Sequence, residues 1–274
     1  GVFMIPTIAL NNGATIPVIG FGTYQIPDGS AVEHAVAAAL SLGYRHLDCA
    51  SAYDNQTGVG KGIKKSGVSR SDIFITSKVW VTDMGYHETL NAFEKTIHQL
   101  DTDYLDLYII HWPKPNSRGC YQALEELYAQ KKVRAIGISN FKPHHIREMI
   151  EGEPVVPAVN QIEYHPFLPQ DETQQFCQQL GIRITAHSPF MEGRMFHVPA
   201  LAEIAARHKK SVAQIVLRWQ IQRGIITIPK SVTPSRMEEN LQIFDFTLDE
   251  EDMRIIASLE TGERSAPDPD HMPF

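Results

Sequence analysis

The sequence predicts an α/β protein folded as one closed (β/α)8 barrel of the TIM-barrel class, preceded by a β-hairpin and followed by an extra C-terminal helix. Three observations carry this. Eight short β-branched or apolar runs are each followed by a stretch with helical periodicity. No Pro/Gly/Ser linker or shift in composition divides the 274 residues. That length suits a single α/β barrel, whereas two domains of about 150 residues would show a seam. A doubly wound open sheet is the alternative.

Asn12-Gly13 between short apolar runs signals the hairpin. Val18–Thr23 is the first barrel strand, and Val32, Ala35, Val36, Ala39 and Leu40 make one face of the helix after it. Strands are then expected at 44–48, 73–78, 105–111, 133–139, 158–163, 182–187 and 225–228. The helices between them fall near 58–66, 87–100, 121–128, 146–150, 171–180, 201–208 and 212–223, and one more near 235–244 closes the series. Thr247 with Glu250 reads as a capping box opening the extra helix, which runs to about Leu259. The Pro-rich, polar tail from Gly262 is expected to be irregular. Gly1–Phe3 precede Met4 and read as foreign to the native start.

The net charge is −7, from 25 Lys+Arg against 32 Asp+Glu, and 43% of residues are hydrophobic. That composition excludes intrinsic disorder and argues against nucleic-acid binding, which needs a basic surface. Cys49, Cys120 and Cys177 form no C-x-x-C pair, so neither a disulfide framework nor a zinc ribbon is expected. No apolar run approaches the ~18 residues of a membrane span, and no secretory signal opens the chain. A cytoplasmic monomer is the expectation.

Several fragments imitate motifs of other chemistries. Gly58-Val-Gly60-Lys61-Gly62 resembles a phosphate loop, but Asn55 and Gly62 stand where glycine and serine or threonine are required. Gly137-Ile-Ser139 lacks the last glycine of a nucleophile elbow, since Phe141 occupies that place. His144, His145 and the other histidines show no metal spacing and read as surface residues.

Function in such a barrel is expected at the C-terminal ends of the strands. Those ends carry Asp48 with Tyr53 close behind, Lys78 with Trp80, His111-Trp112, Ser139-Asn140, and Asn160-Gln161 with Glu163. One Asp after a strand is often a turn starter. Titratable or amide residues at five consecutive strand ends would be costly to bury unpaired, and point to a site.

The segments GYRHLDCASAYDN (43–55), FITSKVW (74–80), DLYIIHWP (106–113), IGISNF (136–141), AVNQIEYHP (158–166) and IPKSVTPSRMEEN (228–240) resemble the aldo-keto reductase family. The resemblance runs in order over nearly the whole chain, about Thr7 to Leu259, and is nearest to bacterial 2,5-diketo-D-gluconate reductases. It implies a barrel closed at the bottom by the hairpin, and metal-free reduction of aldehydes and ketones by NADPH.

The family's catalytic tetrad falls on Asp48, Tyr53, Lys78 and His111. Hydride addition leaves negative charge on the carbonyl oxygen, so a proton donor must stand there. Tyr53 is the implied acid. A Lys78 ammonium at ~4 Å and effective dielectric ~20 would favour its phenolate by at most roughly 4 kcal/mol, or about three pK units. Asp48 would hold Lys78, and a neutral His111 would orient the carbonyl.

The resemblance assigns the nicotinamide amide to Ser139, Asn140 and Gln161, with Thr23 and Ser188 alongside. It assigns the adenosine 2′-phosphate to Lys230, Ser231 and Arg236, flanked by Val232 and Thr233, and the adenine to Glu239 and Asn240. Thr233 stands where several relatives have a basic residue, so a slightly weaker grip is implied. Tyr24, Trp80, His111 and Trp112 would line the substrate pocket. The short loop after Trp112-Pro113 and the short tail imply an open pocket for small dicarbonyls, aldehydes and keto sugars.

His187 stands where relatives place the Tyr or Trp that stacks under the nicotinamide. A neutral imidazole would serve as a passive platform. An imidazole titrating near pH 6.5 would instead repel the cationic NADP+ ring under mildly acid conditions. Two further readings stay open: an NADPH-binding regulatory module with slow turnover, and a metal-free barrel isomerase or aldolase, which leaves Lys230–Asn240 unexplained.

Overall fold

The computed structural model describes residues 3–274, so the reading of Gly1 and Val2 lies outside the described residues. β1 (Thr7–Ala9) and β2 (Thr15–Pro17) pair antiparallel as the expected hairpin. Gly13 turns it with φ 88°, and the Asn12 Oδ1 accepts the Ala14 N–H.

Eight parallel strands follow in sequential order: β3 (Phe21–Gly22), β4 (His46–Asp48), β5 (Phe74–Val79), β6 (Leu107–Ile110), β7 (Ile136–Ser139), β8 (Val159–Glu163), β9 (Arg183–His187) and β10 (Ile226–Thr227). The helices between them are α1 (Ser30–Ser41), α2 (Gln56–Ser66), α3 (Tyr86–Leu100), α4 (Ser117–Ala129), α5 (Pro143–Ile150), α6 (Asp171–Leu180), and the pair α7 (Pro199–His208) and α8 (Val212–Gln222). α9 (Pro234–Leu241) and α10 (Glu250–Ala257) complete the chain's helices. The two ends of the sheet meet. Ile19 bridges Thr227 in parallel, Gly20 N donates to Thr227 O and Gly22 N to Pro229 O. The barrel is closed.

The strands' two-residue period sorts their side chains. Leu47, Ile75, Tyr108, Ile110, Ile138, Ile162 and Ala186 face outward into the layer packed by the helices. Phe74, Leu107, Ile109, Val159 and Ile226 face inward and meet Leu10 and Ile16 of the hairpin. The hairpin therefore plugs the N-terminal end. Asn12 Nδ2 donates to Arg134 O and Asn11 Nδ2 to Pro157 O, just ahead of β7 and β8. Burying Leu10 and Ile16 stabilises this plug by roughly 1.5–3 kcal/mol each.

Two expectations are corrected, and the role of the α2 glycines becomes visible. α10 starts later than Thr247: the capping box is Asp249 with Asp252, because the Asp249 carboxylate accepts the Asp252 N–H at 2.8 Å and its own N–H reaches Asp252 at 3.1 Å. The histidines are not uniformly at the surface. His46 and His165 are buried, and burial pushes His46 down to about 4, keeping it neutral. The glycines of α2 serve packing. A Cβ on Gly58 would lie 2.3 Å from Val32, one on Gly60 2.8 Å from Leu100 O, and one on Gly62 2.8 Å from Glu33 O, so they let α1 and α3 approach α2 closely.

Candidate active site

The inward set of the strands continues to the C-terminal rim. On β5 it runs Phe74, Thr76, Lys78; past β6 it runs Leu107, Ile109, His111; on β8 it runs Val159, Gln161, Glu163. The apolar members fill the barrel and the last polar members emerge at its mouth. Asp48 ends β4, and a 3-10 turn at Ser51–Tyr53 brings Tyr53 back over it.

Lys78 is fully buried, and its ammonium spends all three protons: on Asp48 Oδ2 at 2.7 Å, on Tyr53 Oη at 2.9 Å and on Cys49 O at 3.0 Å. Gln161 Nε2 donates to the other Asp48 oxygen at 2.8 Å. Burial alone would lower the Lys78 pKa, but Asp48, with help from Tyr53, raises it, so the ammonium persists. Removing one partner of such a buried pair typically costs about 3–5 kcal/mol, so this core carries a charge that packing alone does not call for.

Tyr53 departs from expectation in one respect. Burial pushes its phenol up to about 12 and outweighs Lys78, so the phenol stays firmly protonated rather than tuned toward neutrality. Its ring lies 5.9 Å from that of His111, edge to face. Burial, then Lys78 and His187, hold His111 well below its ordinary value and therefore neutral. His111 Nδ1 is buried without a partner among the described residues, which leaves Nε2 as the nitrogen open to the cavity.

The cavity above these groups measures about 1630 Å3 and is lined near Tyr53 by Tyr24, Trp80, Trp112 and Phe274. Phe274 and the 265–267 segment were not foreseen. The Phe274 ring packs 5.1 Å from Trp80 and 5.4 Å from Trp112, so the tail narrows the pocket that its shortness had suggested was open. Phe190, Glu192 and Phe196 also line it, from the loop after β9. An aromatic residue at the end of a polar tail has no period that would betray its partner.

Ser139, Asn140, Gln161, His187 and Ser188 meet on one wall. Ser139 Oγ donates to Gln161 O at 2.7 Å, which accounts for this serine without a nucleophilic role. Thr23 is placed beneath the site: it is buried, and its hydroxyl is committed to Asp48 O at 2.7 Å. His187 favours the neutral of the two readings given for it. Burial pushes it down to about 4, so the positive charge considered for mildly acid conditions does not form there.

Lys230, Val232, Thr233 and Arg236 are exposed around the start of α9, with Ser231 half-buried between them and Asn240 buried farther along the helix. Among the described residues no side chain caps α9 at Thr233, although Ser231 Oγ accepts the Thr233 N–H at 3.1 Å. A helix start beside two cations suits a phosphate.

Tyr53, Lys78, Asp48 and His111 thus meet at the mouth of the barrel, beside the wall of Ser139, Asn140 and Gln161. The chain matches the model of the Aldo/keto reductase family over residues 18–261. It is 48% identical over 269 residues to the glyoxal reductase of Bacillus subtilis (strain 168), covering 98% of both chains. An aldo-keto reductase from a Medee basin deep-sea metagenome library is similar in structure, with a TM-score of 0.95 and 42% identity over 98% of this chain and 100% of that one. An aldo-keto reductase of Bombyx mori in complex with NADP gives a TM-score of 0.90 and 32% identity over 98% and 97%. The chain belongs to the aldo/keto reductase family.

Proposed function

We propose that this protein is an NADPH-dependent carbonyl reductase whose preferred substrates are small, uncharged α-dicarbonyls and aldehydes. The observation that carries the reading is the chain Tyr53 Oη–Lys78 Nζ–Asp48 Oδ2, with links of 2.9 and 2.7 Å, at the floor of an aromatic-lined cavity.

The donor set fits the cofactor. Ser139, Asn140 and Gln161 offer hydroxyl and amide groups for a carboxamide, and Lys230, Ser231 and Arg236 offer cations and a hydroxyl for the 2′-phosphate. When bound, NADPH supplies the hydride. Tyr53 gives its proton to the carbonyl oxygen as charge builds there. Lys78, already bonded to the phenol oxygen, stabilises the phenolate that remains. Asp48 and Gln161 keep Lys78 from turning away, and His111 Nε2 orients the carbonyl.

Charge favours uncharged substrates. Asp28, Asp54, Asp83, Glu88 and Glu192 line the cavity against Lys95 and Lys230, while Asp48 is paired with Lys78. Lys230 belongs to the proposed phosphate cradle, and among the described residues no cation other than Lys78 touches Tyr53. An acidic cleft disfavours an anionic substrate such as diketogluconate. The likeness to a glyoxal reductase supports the same class.

The test is loss of NADPH absorbance with glyoxal, methylglyoxal and 2,5-diketo-D-gluconate. Methylglyoxal should exceed diketogluconate in kcat/KM by at least roughly tenfold, the effect of about 1.4 kcal/mol. No turnover on any carbonyl, with tight NADPH binding, would replace this reading with that of a regulatory module.

A further inference from the structure

His187 makes a contact that a stacking platform does not need. Its Nε2 lies 2.9 Å from Asn140 Oδ1, and its Nδ1 lies 3.2 Å from Ser188 Oγ. An amide oxygen only accepts, so Nε2 carries the proton and Nδ1 keeps its lone pair for the Ser188 hydroxyl. A neutral ring is thereby fixed in one tautomer.

The other end of the Asn140 amide is also held. Its Nδ2 donates to His111 O at 3.0 Å and to Ser139 Oγ at 3.2 Å. Reversing the amide would set oxygen against the His111 carbonyl and NH2 against the His187 N–H. Asn140 itself sits in the left-handed region at φ 64°, and Ser188 at φ 52°, so both strand ends turn sharply where the two side chains meet.

We propose that His187 is a positioning residue: through Asn140 it sets the amide orientation of the wall formed by Ser139, Asn140 and Gln161, against which the nicotinamide carboxamide would lie. Phenylalanine offers no donor for this bond, and tyrosine carries its hydroxyl at the far end of the ring. The proposal rests on the cofactor reading above, so the first arm of its test is made without cofactor.

In the cofactor-free wild type, 15N NMR of the labelled imidazole should show His187 protonated at Nε2. A proton on Nδ1 overturns the proposal. The second arm measures NADPH dissociation by quenching of tryptophan fluorescence, and kcat and KM for methylglyoxal, in His187→Phe, His187→Tyr and His187→Gln. The first two keep a flat ring and lose the donor; the third keeps an N–H donor and loses the ring. Loss of one neutral, partly buried hydrogen bond should weaken NADPH binding by about three- to tenfold in the Phe and Tyr variants. The Gln variant should stay within about threefold of wild type, that is, within the size of one weak contact. In all three, kcat at saturating NADPH should move less than the dissociation constant. Phe and Tyr variants that bind as tightly as wild type, with Gln the weakest, would leave stacking as the only role and overturn the proposal. A wild type with the Nε2 proton that fails to bind NADPH would overturn the cofactor reading, and with it the purpose assigned to this bond.

Discussion

As the proposed acid, Tyr53 would release a proton from a place where burial opposes it. Its phenol is raised to about 12, so at neutral pH it is fully protonated and a poor source of phenolate. That suits an acid whose partner oxygen becomes strongly basic only during the reaction. Lys78 at 2.9 Å would stabilise the phenolate as the proton leaves, so under this proposal its effect falls in the transition state more than in the resting protein. Tyr53→Phe keeps the ring but removes this proton. Methylglyoxal turnover should fall by about 10²–10⁴-fold, the usual worth of a general acid. NADPH affinity, read by fluorescence quenching, should stay within about twofold, because no neutral hydrogen bond to the cofactor is assigned to this side chain. A variant retaining more than roughly a tenth of wild-type turnover, with chemistry rate-limiting, would remove Tyr53 from the acid's role.

Individual strands and helices account for how the site came to be read from sequence. A strand interior alternates with period two, so Lys78 follows Phe74 and Thr76 inward, and His111 follows Leu107 and Ile109. A charged residue continuing an apolar face cannot stay unpaired, and that made the strand ends legible. The same elements hid what depends on depth. Neither the raised phenol of Tyr53 nor the neutral His187 follows from residue type, because both arise from burial by other elements. The cap of α10 was misplaced because Thr247–Glu250 and Asp249–Asp252 both satisfy the spacing, and only geometry separates them. The start of α9 is where the cofactor expectation can be tested at this scale. Arg236 stands exposed in its first turn and is assigned only to the 2′-phosphate. Arg236→Ala should weaken NADPH binding about tenfold or more, from the loss of a charge-assisted bond of roughly 1.5–3 kcal/mol, and leave NADH binding nearly unchanged. Equal losses for both dinucleotides would sink the assignment.

At the scale of the whole molecule, the tail ties the far end of the chain to the barrel's mouth. Glu163, the last inward residue of β8, accepts Ser265 N at 2.8 Å, Ser265 Oγ at 3.0 Å and Ala266 N at 3.0 Å, and pairs with buried His165 at 2.7 Å. Farther on, Lys142 bridges Asp268 at 2.7 Å and Asp270 at 2.8 Å, while His144 and His145 both reach Asp270 at 2.9 Å. Distance alone would let these two histidines and Asp270 hold a metal ion. The chemistry argues for a tether instead: His145 Nδ1 accepts the Lys142 N–H at 2.9 Å, which puts the ring proton on Nε2 and spends the lone pair a metal would need. The tether delivers Phe274 onto Trp80 and Trp112, and Lys114 Nζ holds its carbonyl. If the tail acts as a wall of the substrate pocket, cutting the tether should loosen substrate binding without touching the proton relay. Asp268→Asn combined with Asp270→Asn should raise KM for methylglyoxal by about two- to tenfold, the worth of an aromatic contact of roughly 0.5–1.5 kcal/mol, while kcat changes much less. These acidic groups are partly exposed, so salt should screen them, and wild type in about 1 M NaCl should move toward the variant's KM. A double variant with wild-type KM at both low and high salt would show that the tail does not shape the pocket.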